Sequence, residues 1–413
     1  MTPTGTPDTE PQPLAPGVER GFRAGLWVIL AAGGVLALVI AHVTRGDPFD
    51  MESFRLVRRA LDADPLEVYS GFARAGTPRW PYPPAFFPLV FSAGRLAGGS
   101  LPFEFLIRVP SIAADLALAW VVQDYLGLRR STARVRLGAA ALIALGPSFL
   151  AISGYHGQFD ALAILPAALA LRLWDRDGPW PRAIVCGLLI GLGAALKTVP
   201  GLFLLALLPS ARSWREGGTL VAAAATPVLI ALAPYALSGG LPPLRTFAYH
   251  GLPGAGGLSL AVQPDISLAV LGIRAVPFSG LFETLARHGT VVIVAGLAAV
   301  AAVGLRWRPP ARLMAVLLWL GVYAFGVNFF FQYLLWGIPF FLMAGYVREV
   351  AALQAVLVLP TVVFYLRPWH RPIVAVVYAG SMMLLWAVSC GAFALLARRL
   401  AAAEGRWVDV VRP

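Results

Sequence analysis

From residue 22 to residue 396 the chain is a succession of apolar runs, at 22–43, 84–97, 105–126, 135–153, 161–174, 183–208, 219–237, 290–305, 313–327, 333–347, 350–366 and 373–396. The hydrocarbon core of a bilayer is about 30 Å thick, and about 20 apolar residues of helix cross it. The expected fold class is therefore all-α: a polytopic transmembrane helical bundle of about 11–13 helices. The run at 183–208 is expected to split, because Lys197 and Pro200 stand near its middle and a proline breaks the backbone ladder. Composition agrees with a membrane solvent. Only 13% of the residues are charged and 58% are hydrophobic, against about 25% charged in a soluble domain.

The net charge of +12 would suggest nucleic acid in a soluble protein. In this chain the arginines fall in short clusters between apolar runs: Arg129, Arg130, Arg134 and Arg136, then Arg306, Arg308 and Arg312, then Arg398 and Arg399. That is the positive-inside pattern, and it accounts for the charge without a nucleic-acid partner. Cys186 and Cys390 sit inside apolar runs without metal-ligand spacing and read as small buried hydrophobes.

Residues 1–21 read as a disordered cytoplasmic tail, and 22–43 as a signal anchor and first span. A catalytic transmembrane module is expected over 22–347, C-terminal helices over 348–400 and a cytoplasmic tail over 401–413. Two loops are long. The first, 44–83, carries Asp47, Asp50, Glu52, Asp62, Asp64 and Glu67; the second, 238–289, carries His250, Gln263, Asp265, Glu283 and His288. With the tail inside, the first loop is outside. Placing Arg129–Arg136 inside then requires an odd number of crossings between residues 84 and 126, where two apolar runs stand. Either one of them is a short surface or re-entrant helix, or the cluster lies outside. No internal repeat of the kind common in transporters is present.

Six segments carry polar chemistry. Asp47 and Asp50 follow the first span directly. Carboxylates there suit a general base at the membrane face, or a divalent cation; Asp47 before Pro48 equally suits a helix cap, with Asp50 in the first turn. Arg79-Trp80-Pro81-Tyr82-Pro83-Pro84 suits interface anchors at the start of a span, with sugar stacking on Trp80 or Tyr82 as the other reading. Arg108 and Asp115 lie two turns apart on one helix face, where ionisable groups face a partner or a cavity. His156, Gln158 and Asp160 exceed what a short turn needs; they can grip hydroxyls or a phosphate, and Asp160 can cap a helix. Lys197 is the only lysine in the chain, and deep in an apolar run it suits a phosphate as a point charge or snorkels to an interface. The run 328–336 is dense in aromatics, as in an interfacial belt, with Asn328 and Gln332 one helical turn apart. Phosphate-cradling glycine loops, HExxH and GxSxG are missing.

In this order the six segments resemble the GT-C superfamily of membrane glycosyltransferases. The likeness is greatest to mannosyltransferases that use polyprenyl-phosphate mannose, both the bacterial integral-membrane enzymes and the catalytic subunit of glycosylphosphatidylinositol mannosyltransferase I. The acidic loop with Asp47 and Asp50, RWPYPP, the stretch from Arg108 to Asp115, GPSFLAISGYHGQFDAL, ALKTVPGLFLLALLP and FFFQYLLWGIP carry it, over residues 26–344. The resemblance implies an inverting transfer from a polyprenyl-phosphate sugar to a hydroxyl of a lipid, glycan or protein acceptor, at the outer face of a bacterial cytoplasmic membrane. It implies Asp50 or Asp47 as the base, with Asp50 favoured because it leads into 54–61. The spacing Asp47-x-x-Asp50 departs from the Asp-x-Asp of related families. His156, Gln158, Asp160, Lys197, Arg108, Tyr82 and Gln332 would bind substrate. A transporter or flippase of a lipid-linked sugar is the alternative.

Overall fold

A computed structural model describes residues 16–70, 80–98, 101–176, 181–239, 257–258, 279–328, 330–366 and 372–403. Arg79 and most of the second long loop, including His250, Gln263 and Asp265, lie outside the described residues. What is described is helical, with no named strand, as the apolar runs require. Among the described residues, seven helices are long and apolar enough to cross a membrane: Gly17–Val43, Phe103–Leu128, Ala133–His156, Trp214–Ser238, Arg287–Trp307, Val347–Tyr365 and Val376–Ala402. Four shorter apolar helices stand among them, Arg182–Leu196, Val199–Ser210, Ala311–Phe325 and Phe331–Met343.

Helix α1, Pro16–Val43, leads through a short turn into α2, Pro48–Ala63. The run at 84–97, expected to cross, forms no helix long enough to do so. Its helix α3, Phe87–Leu96, has only 10 residues, about 15 Å at 1.5 Å per residue, half the hydrocarbon thickness. It packs against α2, with Arg58 against Gly94, so the acidic loop and α3 form one small layer with its own aromatic core. The next helix, α4 at Val109–Leu128, makes the second crossing. The parity conflict is thereby removed: Arg129–Arg136 returns to the end of the bundle where α1 begins, and Arg136 lies 4.1 Å over the Phe22 ring.

Helix α5, Ala133–Ala144, runs beside α1 in the same direction and continues, past a break at Pro147, into a wide π turn over Leu150–His156. Such turns concentrate at functional positions because they re-aim side chains. Gly157 ends it at φ +92°, where a side chain is strained and a Cβ would lie 2.3 Å from Met51. Helices α6, Asp160–Trp174, and α7, Arg182–Leu196, form a hairpin. The expected split at Lys197 is present: its backbone is extended, and a second, 3-10 segment starts at Val199. Helix α7 lies on α8, Trp214–Gly239, through Gly187 and Gly191. A Cβ on either would meet Leu220 O at 2.5 Å or Ala224 O at 2.2 Å, the small-residue spacing that lets membrane helices approach. The bundle is completed by α9, Ser279–Trp307, α10, Ala311–Phe325, α11, Leu334–Met343, α12, Val347–Leu366, and α13, Pro372–Ala402.

Because the helices alternate in direction, charges sort to one end. Arg172 pairs with Asp124 and Arg182 with Glu216, Tyr125 bonds Asp175, and Arg312 and Arg399 flank Tyr346. All three sequence-predicted arginine clusters fall at this basic end. Asp47, Asp50, His156, Asp160 and Lys197 fall at the other.

Candidate active site

The site starts from two chain breaks. Asp47 is the N-cap of α2: its carboxylate accepts from the Phe49 N–H at 3.0 Å, and Pro48 takes the first helical position. The capping geometry read from the sequence is therefore present. Its own N–H donates to the His156 carbonyl at 3.1 Å, which ties the start of α2 to the π turn. Asp50, one turn in, is turned toward that π turn. Its Oδ2 is bonded to His156 Nε2 and accepts from Gln158 Nε2 at 2.7 Å. Among the described residues no hydrogen bond reaches Oδ1, and the side chain keeps 16% exposure. One carboxylate oxygen is thus held by two donors while the other faces outward.

Burial alone would raise the Asp50 carboxyl. Burial is the largest single influence, but the charge and hydrogen bond of His156, the hydrogen bond of Gln158 and the charge of Lys197 together outweigh it, and the carboxyl is held below the ordinary carboxylate range. Asp50 is therefore ionised near neutrality, and Nε2 of His156 must be its donor. The other ring nitrogen, Nδ1, bonds the Tyr365 hydroxyl. Tyr365 was not singled out in the sequence. It lies near the end of α12 in an aromatic stretch, and only tertiary packing brings it across. Asp47, Asp50 and His156 place one ligand atom each within 4.8 Å of one another. These three would hold a divalent cation, with Nε2 giving its lone pair and Tyr365 accepting from Nδ1–H.

Lys197 closes the second half. Its Nζ donates to Asp160 Oδ1 at 2.5 Å, and the two side chains are 6% and 0% exposed. Trp336 Nε1 donates to the same oxygen at 2.6 Å. The ammonium also lies 4.9 Å from the Tyr82 ring centroid, 5.5 Å from Phe159 and 5.6 Å from Trp336. Lys197 thus turns inward to a buried carboxylate, caged by aromatic faces at the break of the split helix. Asp160 does not cap its helix by side chain; it anchors the lysine. Trp80, read as an interface anchor, is covered by protein, near-parallel to Phe159 at 6.0 Å and to Phe86 at 6.0 Å.

Arg108 lies beneath Asp50 and His156 and is fully buried. Its guanidinium donates to the carbonyls of Ala41, Thr44, Glu104, Gly154 and Tyr155 and to the Thr44 hydroxyl, at 2.6–3.2 Å. All five N–H groups are used on backbone and hydroxyl. It clamps the end of α1 to the π turn and does not pair with Asp115. Asp115 is buried in α4 within electrostatic reach of Asp160. Of the aromatic run, Phe330, Phe331 and Trp336 are buried inside the bundle. Asn328 and Gln332 do not share a helical face, because Phe330 between them is extended and a 3-10 turn begins only at Phe331. Gln332 is buried, with no hydrogen bond to its Oε1 among the described residues. Its neighbours Phe331 and Tyr333 touch Tyr365 and Trp336, which puts it between the two halves.

The bundle thus holds an open carboxylate and a caged lysine at the end opposite the basic clusters. Residues 80–327, more than half of the chain, match the family model of glycosyltransferase family 87. The chain belongs to glycosyltransferase family 87. The matched stretch contains Tyr82, Arg108, His156, Gln158, Asp160 and Lys197; Asp47, Asp50 and Gln332 lie outside it. Two curated relatives are named polyprenol-phosphate-mannose-dependent alpha-(1-2)-phosphatidylinositol mannoside mannosyltransferase. The one from Mycobacterium tuberculosis is 32% identical over 211 residues, 45% of this chain and 47% of the relative. The one from Mycolicibacterium smegmatis is 30% identical over 201 residues, 46% of this chain and 44% of the relative. The chain spans about half the length of the curated relatives it matches.

Proposed function

We propose that the chain transfers a hexose, mannose first among them, from a polyprenyl-phosphate donor to a hydroxyl of a membrane-borne acceptor, with inversion. The observation that carries this reading is the Asp50 carboxylate: one oxygen saturated by His156 and Gln158, the other open, and the whole group ionised. A carboxylate so oriented accepts a hydrogen bond from an acceptor hydroxyl and takes its proton as the oxygen attacks. The new bond forms between that oxygen and the anomeric carbon. The bond from the same carbon to the phosphate oxygen breaks on the opposite face, and the polyprenyl phosphate leaves with one more negative charge.

Lys197 is the group suited to that charge. A caged ammonium in a low-dielectric site stabilises developing anionic oxygen far more than one in water. Asp160 and Trp336 hold it, so it needs no reorganisation when the bond breaks. His156 keeps Asp50 oriented, with Tyr365 fixing the imidazole from its far side, as supporting partners do for a catalytic carboxylate. Tyr82 and Gln332 offer a ring face and an amide at the opening for the sugar. Arg108 acts through the backbone as a positioning residue. A lipid donor reaches such a site laterally, through the bilayer that surrounds the bundle. The names of the relatives support mannose and a lipid acceptor; the basic end supports an outward-facing site, by the positive-inside rule.

The test is a transfer assay in lipid, with radiolabelled polyprenyl-phosphate mannose and a membrane lipid extract as acceptor. Asp50→Asn is expected to abolish label transfer while leaving photolabelling by the donor. Asp47→Asn, which keeps a side-chain oxygen able to cap the Phe49 N–H, is expected to cost little stability and to keep measurable transfer. Equal loss in both variants with equal stability would remove Asp50 as the base, and neither transfer nor labelling by wild type would remove the donor.

A further inference from the structure

From the basic end inward, helices α10, α11, α12 and α13 line a half-open cleft of about 340 Å³ that reaches Tyr323 and Leu334. Its wall is hydrocarbon: Val388 and Ala392 on α13 face Val316 and Leu320 on α10. Two of the few polar groups inside are turned to backbone: Ser389 Oγ donates to the Leu385 carbonyl at 2.8 Å and the Tyr323 hydroxyl to the Leu334 carbonyl at 3.2 Å. The interior is overwhelmingly hydrocarbon, and suits an apolar chain.

The mouth is different. Glu349 and Arg399 border the same cavity and are exposed. Among the described residues neither makes an ion pair or a hydrogen bond. Arg399 and Glu349 both lie within electrostatic reach of Tyr346. The slot runs along α13 from Leu385 to Arg399, about 21 Å at 1.5 Å per residue. One leaflet contributes about 15 Å of hydrocarbon. A chain lying in the slot with its head at Arg399 thus reaches from headgroup level to just past the bilayer centre.

We infer that this cavity binds one phospholipid of the leaflet at the basic end, an acyl chain in the slot, its phosphate on Arg399 and the ammonium of an ethanolamine headgroup on Glu349. Unpaired opposite charges at one mouth complement a zwitterion better than a purely anionic head. Basic pockets between helices are known settings for anionic headgroups; the carboxylate of Glu349 beside Arg399 is what favours a zwitterion here. Its charged mouth lies at the end opposite Asp50, so the assignment does not depend on which sugar is transferred.

The experiment uses the full chain, delipidated and then incubated with vesicles of equal parts dioleoyl phosphatidylethanolamine and dioleoyl phosphatidylglycerol, re-extracted and weighed by native mass spectrometry. One phosphatidylethanolamine per wild-type chain is expected. Arg399→Gln and Glu349→Gln, both on exposed positions, should each lower retention about tenfold, as loss of one charge-assisted contact does. Ala392→Phe should occlude the slot and abolish retention while keeping the helical circular dichroism of wild type. Retention of the two lipids in the ratio supplied, retention undiminished by both charge variants, or displacement by an equal concentration of polyprenyl phosphate would each overturn the assignment.

Discussion

Lys197 and Asp160 form the most deeply buried ion pair among the described residues, and the consequences of breaking it separate structure from chemistry. Lys197→Met keeps a stem of similar length and removes the charge. Asp160 is then a carboxylate at 0% exposure with Trp336 as its one remaining donor. Stranding a buried charge in this way costs about 3–5 kcal/mol. Asp160→Asn strands the ammonium instead, but three aromatic faces at 4.9–5.6 Å remain and are worth about 0.5–2 kcal/mol each to a desolvated cation, so its loss is smaller. In the double variant neither charge is left alone, and about 2–3 kcal/mol of the summed loss should return. The assay is the unfolding midpoint of all four proteins in one detergent, followed by tryptophan fluorescence, with transfer measured on the same preparations. The double variant is expected to be folded and inactive, because the phosphate loses its cation. Strict additivity of the two single losses would refute the pairing. Wild-type transfer by the double variant would refute the role of Lys197 at the phosphate.

Three further outcomes follow from the site. His156→Gln removes the largest influence lowering the Asp50 carboxyl and leaves burial, which raises it; the acid limb of the transfer rate, set by protonation of Asp50, should move to higher pH, and an unchanged limb would show that Asp50 is not the titrating base. Tyr365→Phe should lower kcat more than it alters KM and shift the same limb in the same direction by a lesser amount, since Asp50 keeps both of its donors. Arg108→Lys replaces five N–H donors in a planar fork by three on a point charge and should cost about 2–5 kcal/mol of stability, read as a lowered unfolding midpoint with donor photolabelling retained in the folded fraction.

The apolar runs alone determined the all-α membrane fold, because lipid leaves a chain no other solvent for 58% hydrophobic residues. They also determined the break at Lys197, since a proline close behind an isolated charge cannot continue a helix. Local chemistry was equally legible: Asp47 before Pro48 caps a helix whatever surrounds it. The run at 84–97 misled because hydropathy does not report on which solvent a short apolar helix meets; α3 buries its apolar face against α2 instead of lipid. Arg108 was legible as a buried charge and not as a clamp, because its partners are carbonyls from α1 and the π turn, which carry no sequence signal. The aromatics of 328–336 have the composition of an interfacial belt, and only packing put Phe331 and Trp336 inside.

What the tertiary structure alone decided is which polar groups meet. Asp50 and His156 stand 106 residues apart, Asp160 and Trp336 176 apart, and His156 and Tyr365 209 apart. No local propensity specifies such pairs; they form where alternating helices return their ends to one face of the bundle, and where burial leaves each polar atom no partner but another from a distant turn.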